Sequence, residues 1–426
     1  MNTRSLHIVD GVRLPFTKAG GKLSRLSAGD LGTAVVKALL ARTGIDPATI
    51  DEVIMGCVCQ PADESNLARV ISLRSGIPQS VPARTVHRNC ASGFEAITQA
   101  AEKTAAGRGD IFLVGGVESM SQVPLIFPKS ASPKFGQLAK SRTLGSRLRA
   151  LTGFRPKDFS PVPALLKGLT DSTCNMGMGQ TAELLARDFN ISRERQDRFA
   201  LFSHKRAIES SGRLKDEIIT AFDHQQKPVL EDDGPRPDSS IEKLNRLRPI
   251  FDRRRGSVTA GNSSQVTDGA VALLVASEDA CNQYNLDPIG RLIDYAYSGC
   301  EPERMGLGPV YALAKGRTQG APELSEVDLI ELNEAFAAQA LAVMDACKSE
   351  KFCHEKLGLE KVLGEMNEEI VNVNGGAIAL GHPVGATGAR LVLTALKELK
   401  LRRQKTALAT LCVGGGQGGA LWLERN

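Results

Sequence analysis

The chain has 426 residues, 42% of them hydrophobic and 24% charged, with a formal net charge of +5. That length buries a large core, in two domains or one fused double unit, and the composition is that of an ordinary globular protein. No apolar run approaches the ~18–20 residues that a membrane-spanning helix needs, and the mild charge suits an anionic small molecule as well as a macromolecule.

The opening "MNTRSLHIVDG" is too polar, and reaches a strand too soon, to be a secretory or transit peptide. The nine cysteines are therefore expected as reduced thiols in a cytoplasmic setting. Strand-like and helical runs then alternate: "LHIVDG", "AGDLGTAVVKALLART", "DEVIMGCV", "ARTVHRN", "GFEAITQAAEKTAAG" and "DIFLVGGVE". This order predicts an α/β fold with helices packed on sheets. In "EVIMGCVC", alternation points Cys57 and Cys59 to one face of a strand. Core packing explains them, and no second Cys/His pair with metal spacing accompanies them, so no metal is expected.

"VHRNCASGFEAITQA" puts Cys90 where a strand turns into a helix whose apolar face is Phe94, Ile97 and Ala101. Locally, Cys90 reads equally as a small buried residue or as a nucleophile aimed by a helix start. Between Glu118 and Asp158 every charge is basic: Lys129, Lys134, Lys140, Arg142, Arg147, Arg149, Arg155 and Lys157. Leu144, Leu148, Leu151 and Phe154 interleave with the last of these at roughly helical spacing. The segment suits a membrane surface, a partner subunit or polyphosphate, or is a solvated loop over the core. Nucleic acid is disfavoured because no aromatic stacking platform accompanies the charge.

A helix pair follows, "GQTAELLARDFN" and "RERQDRFALFSHKRAIES", the second with Ser192 as N-cap. Alternation resumes at "AVALLVAS", and the late part repeats the early part in pattern. "NCASGFEAITQAAEKTAAGRGDIFLVGGVE" has its counterpart in "GHPVGATGARLVLTALKELKLRRQKTALATLCVGGGQGG": a turn of small residues, a helix, a linker, an apolar strand and a Gly-Gly turn. Duplication would set Cys90 facing the turn around His382 and Pro383. "NVNGGAIALGHPVGATGAR" carries five glycines after the strand-like Ile370–Val373, leaving room for a ligand beside His382. "TLCVGGGQGGA" sets Cys412 above a Gly414–Gly416 turn, either as a small packed thiol or as an acid/base with free N–H donors below it. In "ELNEAFAAQ", Asn333 is either a helix N-cap or a group that positions a water or a carbonyl.

As a set, "NCASGFEAI", "NEAFAAQ", "NGGAIALGHPVGATGAR" and "CVGGGQGGA" resemble the signatures of the thiolase family, the acyl-CoA C-acyltransferases, in order and approximate spacing. "MGMGQTAE", "ISRERQDRFALFSHKRA" and "LRPIFDRRRGSVTAGNSSQVTDGA" extend the resemblance over essentially the whole chain. The basic stretch, "NRLRPIF" and "GMGQTAE" also look like the thiolase subunit of fatty-acid oxidation complexes. Two details depart from that branch: Asn333 stands where it often has His, and "HRNCASG" is closer to stand-alone thiolases.

The resemblance implies a duplicated thiolase fold: two five-stranded mixed sheets, helices layered between and outside them (α-β-α-β-α), and an inserted loop domain. Residues 1–118 with 251–275 would form the N-terminal half, 119–250 the insertion and 276–426 the C-terminal half. It implies cleavage of 3-oxoacyl-CoA by CoA to acetyl-CoA and a shortened acyl-CoA, with the long 119–170 stretch favouring longer chains. An acetoacetyl-CoA-specific biosynthetic thiolase is the alternative. A decarboxylating ketoacyl synthase would lack the second cysteine, and a subunit that only binds a membrane or partner would not need the reactive set. Cys90 would be the nucleophile and His382 its base. Cys412 would move the α-carbon proton, and Asn333 would orient a water that completes an oxyanion site with His382. The backbone N–H groups of Cys90 and Gly414 would form a second oxyanion site. Ser264, Ala260, Phe251 and Met178 would line the pantetheine path, with Arg236 at the nucleotide end. CoA enters as substrate, no permanently bound cofactor is implied, and a homodimer or homotetramer is the family expectation. A hydratase/dehydrogenase partner and peripheral membrane contact through 129–157 are the further partners considered.

Overall fold

Two runs of strands with the same internal order organise the chain, which a computed structural model describes over residues 4–426. In the first, β1 (Leu6–Arg13), β2 (Glu52–Gly56), β3 (Ala83–Val86), β4 (Ile111–Glu118) and β5 (Thr267–Ser277) stand in the order β3-β2-β4-β5-β1. β2 is parallel to β3 and β4, whereas β5 is antiparallel to β4 and β1. In the second, β6 (Gly290–Gly299), β7 (Leu329–Leu332), β8 (Thr406–Val413) and β9 (Gln417–Glu424) repeat the scheme: β7 is parallel to β8, and β9 antiparallel to β8 and β6. The principal helices are α1 (Ala28–Thr43), α2 (Leu67–Arg74), α3 (Ser92–Ala105), α4 (Met178–Asp188), α5 (Arg193–Glu209), α6 (Gly308–Gln319), α7 (Ala337–Lys348) and α8 (Val384–Arg402).

The two expected five-stranded sheets are one ten-stranded sheet. Its halves join where β1 meets β6, His7 opposite Arg291 and Ile8 opposite Gly290, and the short strand Thr17–Lys18 pairs with β5. The C-terminal half has four strands, because the strand expected at Ile370–Val373 shrinks to a single bridge, Ile330 to Val371. Asn372 explains the loss. Its φ of 46° is left-handed, and its carboxamide replaces a ladder partner by bonding Leu332 N–H and C=O, each at 2.8 Å.

Successive strand residues point to opposite faces, and the sheet uses both. On one face Val114 and Leu411 pack with Phe94, Ile97, Val392 and Leu396, so α3 and α8 lie between the halves. On the other, Leu113 packs with Val35 and Ile71 of α1 and α2, and Leu408 with Val310 and Leu341 of α6 and α7. This is the α-β-α-β-α layering. The inner helices cross at glycines: a Cβ on Gly93 would lie 2.5 Å from the Ala389 nitrogen, so only glycine lets the two backbones meet. Ser192 caps α5 as expected, accepting from Arg195 N–H at 3.2 Å. β2 ends at Gly56, so Cys57 and Cys59 do not alternate along a strand; Cys57 is buried and Cys59 half-buried in the turn that follows.

Residues 123–170 form a separate compact unit. Leu125–Ile126 pairs with Val162–Pro163, and helices Ser132–Lys140 and Leu144–Thr152 lie between. Phe127, Phe135, Phe154 and Phe159 pack into one aromatic cluster, and Lys134 pairs with the buried Asp158 at 2.5 Å. Leu144, Leu148 and Leu151 stay 77%, 57% and 49% exposed along one side of their helix. Among the described residues no helix is long and apolar enough to cross a membrane.

Candidate active site

The crossing at Gly93 and Gly388 brings the starts of α3 and α8 together, and each start follows a turn that carries a reactive side chain. Between β3 and α3 the chain reverses through Asn89, whose φ is 44°. Asn and Asp tolerate this region better than other side chains, because a short polar group can bond locally. Cys90 comes next and is half-buried. Burial pushes its thiol above the ordinary cysteine range, while the N–H groups of Gly414 and of Cys90 itself pull it back down.

His382 is held by its own N–H, donated to Gln265 O at 3.3 Å and to Thr267 Oγ1 at 3.2 Å. Its Nδ1 lies 2.7 Å from Thr387 Oγ1. Thr387 donates its single hydroxyl hydrogen to Pro383 O at 3.0 Å, so it can only accept from the imidazole. Nδ1 therefore carries the hydrogen, and Nε2, which is buried without a partner, presents a lone pair. Burial, aided by the Arg390 charge, lowers the His382 pKa to about 4. At neutral pH the ring is uncharged and ready to accept a proton.

Asn333 and Cys412 sit at neighbouring strand ends. Asn333 follows β7 and donates its N–H to Thr410 O at 2.9 Å, two residues before Cys412 on β8. The N-cap expectation for Asn333 fails, since α7 begins at Ala337 with Phe336 as its cap. The Asn333 carboxamide is instead fully buried with neither Oδ1 nor Nδ2 paired. Buried polar atoms left unpaired are rare and call for a ligand or water. Cys412 is buried as well, and its pKa is pushed well above the ordinary value by burial first and by the neighbouring Cys90 second.

The residues expected to line the pantetheine path divide. Met178 starts α4 beside the Gly414 turn and, with Phe251, packs on the apolar cluster that contains Cys412. Phe251 meets Phe336 edge-on at 5.9 Å, and Ser264 donates its N–H to Ala335 O at 3.0 Å, so both border the segment after Asn333. Ala260 is exposed. Arg236 has a different anchor: it is exposed and gives its N–H to His204 Nδ1 at 3.3 Å.

Sequence reasoning passed over two groups that hold this arrangement. Thr387, which sets the His382 tautomer, reads as one more small residue in a Gly-rich run, and only its spacing of five from His382 was there to see. Glu118 ends β4 fully buried and accepts from the N–H groups of Val58, Cys59 and Gly385 at 3.1, 2.8 and 2.9 Å. It thereby ties the ends of two strands to the first turn of α8. An acid closing the apolar run "IFLVGGVE" was its signal.

A thiol, a neutral imidazole and an unpaired carboxamide gathered at the centre of a duplicated α/β fold define a class, that of enzymes moving acyl groups through an enzyme thioester. Residues 6–279 match the family model "Thiolase, N-terminal domain" and residues 286–425 match "Thiolase, C-terminal domain". The chain is 41% identical to a 3-ketoacyl-CoA thiolase of Pectobacterium atrosepticum over 421 residues, covering 98% of this chain and 95% of that one. A Bacillus anthracis acetyl-CoA acetyltransferase structure superposes with a TM-score of 0.85 at 35% identity, covering 100% of this chain and 99% of that one. Human mitochondrial 3-ketoacyl-CoA thiolase in complex with CoA gives 0.84 at 36% identity, covering 100% and 98%. The chain belongs to the thiolase family.

Proposed function

We propose that the protein is a 3-ketoacyl-CoA thiolase that uses CoA to split 3-oxoacyl-CoA into acetyl-CoA and a shortened acyl-CoA, reversibly. The observation that carries the reading is the buried, neutral His382 with a free Nε2 at the same helix crossing as Cys90. Neither partner is ionised at rest, so the proton moves as Sγ bonds to the substrate. His382 Nε2 takes the Cys90 proton, and Sγ bonds to the C3 carbonyl carbon. The resulting oxyanion faces the N–H groups of Cys90 and Gly414. The C2–C3 bond then breaks with its electron pair on C2. The enolate is held by protonated His382 and a water on Asn333, and Cys412 gives C2 its proton. In the second half, the CoA thiol returns a proton to Cys412 and attacks the acyl group, while Cys90 leaves and recovers its proton from His382. Two oxyanion sites and two proton carriers are what C–C cleavage through an enolate requires.

CoA is thus the substrate, and no resident cofactor is invoked. Ser264, Ala260, Phe251 and Met178 line the pantetheine path, with Arg236 toward the nucleotide. The name shared by the curated relatives supports the broad 3-oxoacyl reading over an acetoacetyl-CoA-specific one. Thiolysis of 3-oxoacyl-CoA substrates of increasing length tests it; activity should vanish in Cys90→Ala, and full activity in that variant would end the reading. Residues 1–118 with 251–275, and 276–426, act as the two halves, and 119–250 as the insertion. The assembly is a homodimer or homotetramer, which sedimentation reports. Nine free thiols favour a reducing compartment such as the cytoplasm.

The 123–170 unit carries nine Lys or Arg against one acid, Asp158, together with the exposed Leu144, Leu148 and Leu151. Charge and apolar stripe together suit an anionic membrane surface. A docked hydratase/dehydrogenase subunit is the other use of the same face. Flotation with phosphatidylserine-containing vesicles decides: loss of binding in Leu144→Glu/Leu148→Glu supports the membrane, and no flotation of the parent enzyme removes it.

A further inference from the structure

The Gly414–Gly416 turn has to hold one N–H steady against Cys90, yet it is built from residues with the greatest backbone freedom. Gly415 and Gly416 have φ of 86° and 73°, and a Cβ on Gly416 would meet Cys300 O at 2.3 Å, so glycine is required there. Gly414 is different: a Cβ would find only Met178 Sδ at 3.6 Å and Asn89 Nδ2 at 3.7 Å. Something other than side-chain packing must fix it. Two ties are present: Asn89 Nδ2 donates to Gly414 O at 2.7 Å, and Cys300 N–H donates to Gly416 O at 2.7 Å.

Of these only the Asn89 tie joins the turn to the nucleophile itself. Asn89 precedes Cys90, and its C=O accepts from Ser92 N–H at 3.0 Å and Ser92 Oγ at 2.7 Å, which builds the first turn of α3. Its backbone thus sets the Cys90 turn, while its side chain reaches across 325 positions of sequence to the C-terminal half. We propose that Asn89 is a positioning residue for acyl transfer: its carboxamide is the strut that holds the Gly414 N–H in register with Cys90 Sγ. The assignment rests on the thiolase reading above. A slackened turn leaves the substrate-binding walls intact and lets the oxyanion donor drift, so the loss falls on kcat and not on KM.

The test is exchange of labelled CoA into acetyl-CoA, which reports only formation and breakdown of the Cys90 thioester, in Asn89→Gly and Asn89→Asp. Glycine keeps the left-handed turn and removes the strut; aspartate keeps shape and turn but cannot donate to a carbonyl. Exchange kcat should fall about tenfold to a hundredfold in both, the range for losing a buried hydrogen bond or blurring an oxyanion donor, with KM changed less than about threefold. In Asn89→Gly the pH profile of Cys90 alkylation should also move to higher pH, which a loss of folded protein would not produce. Either variant exchanging within about twofold of the parent overturns the strut. A parent enzyme that exchanges no CoA overturns the thiolase reading instead.

Discussion

Thr387→Val swaps the hydroxyl for a methyl group of the same shape at a fully buried position. Pro383 O loses one donor but keeps the N–H groups of Ala386 and Thr387 at 2.8 and 3.0 Å, so the backbone stays satisfied. The Nδ1–H of His382 is the only group orphaned. A buried donor without an acceptor costs about 1–3 kcal/mol, so the preference that pins the hydrogen to Nδ1 is lost and the Nε2–H tautomer becomes populated. That tautomer cannot accept the Cys90 proton. With each 1.36 kcal/mol worth about tenfold in rate, kcat/KM for thiolysis should drop about 10- to 100-fold, while Thr387→Ser, which restores the hydroxyl, should recover most of it. Steady-state thiolysis of a single 3-oxoacyl-CoA measures all three enzymes, with near-UV circular dichroism confirming the fold. Activity of the Val variant within about twofold of the parent would refute the tautomer argument.

Cys412→Ser should abolish C–C cleavage, which needs its proton at C2, and slow CoA exchange on Cys90 far less, since there it only takes up the proton of the CoA thiol; equal loss of both would merge the two roles. Alkylation of Cys90 by iodoacetamide should rise with an inflection above the ordinary thiol range, because burial outweighs the Gly414 and Cys90 N–H groups. An inflection near pH 6 would mean a resting thiolate–imidazolium pair instead. His204 and His382 are both buried with pKa lowered to about 4. The unfolded chain, with histidine near ~6.5, binds the extra protons. Stability is therefore full above about pH 6.5 and falls progressively down to about pH 4, by about 2 kcal/mol per histidine on reaching pH 5. Urea midpoints at pH 7 and 5 should converge in His204→Gln; an unchanged pH dependence would show that His204 takes no part.

Local pattern carried much of the architecture. The N-cap Ser192, the helix after Cys90 and the repeated strand–helix–strand units are each written in a contiguous local stretch, and the layering follows from duplicating those units. The single ten-stranded sheet was not legible, because it depends on a two-residue contact between His7–Ile8 and Gly290–Arg291 with no sequence signal of its own. The strand expected at Ile370–Val373 looked apolar enough, but Asn372 turns left-handed there and its carboxamide replaces the ladder. Motifs could mark reactive residue types, not the state of their atoms. That His382 Nε2 and the Asn333 carboxamide lie unpaired, and that Thr387 chooses the tautomer, follows from contacts that spacing cannot express.

The most direct test is to trap the thioester. Incubating the enzyme with acetyl-CoA, quenching in acid and mapping peptides by mass spectrometry should place one acetyl group on Cys90. The same should hold in Cys412→Ser, and none should appear in Cys90→Ala. An acetyl group on any other residue, or none on the active enzyme, would contradict the account.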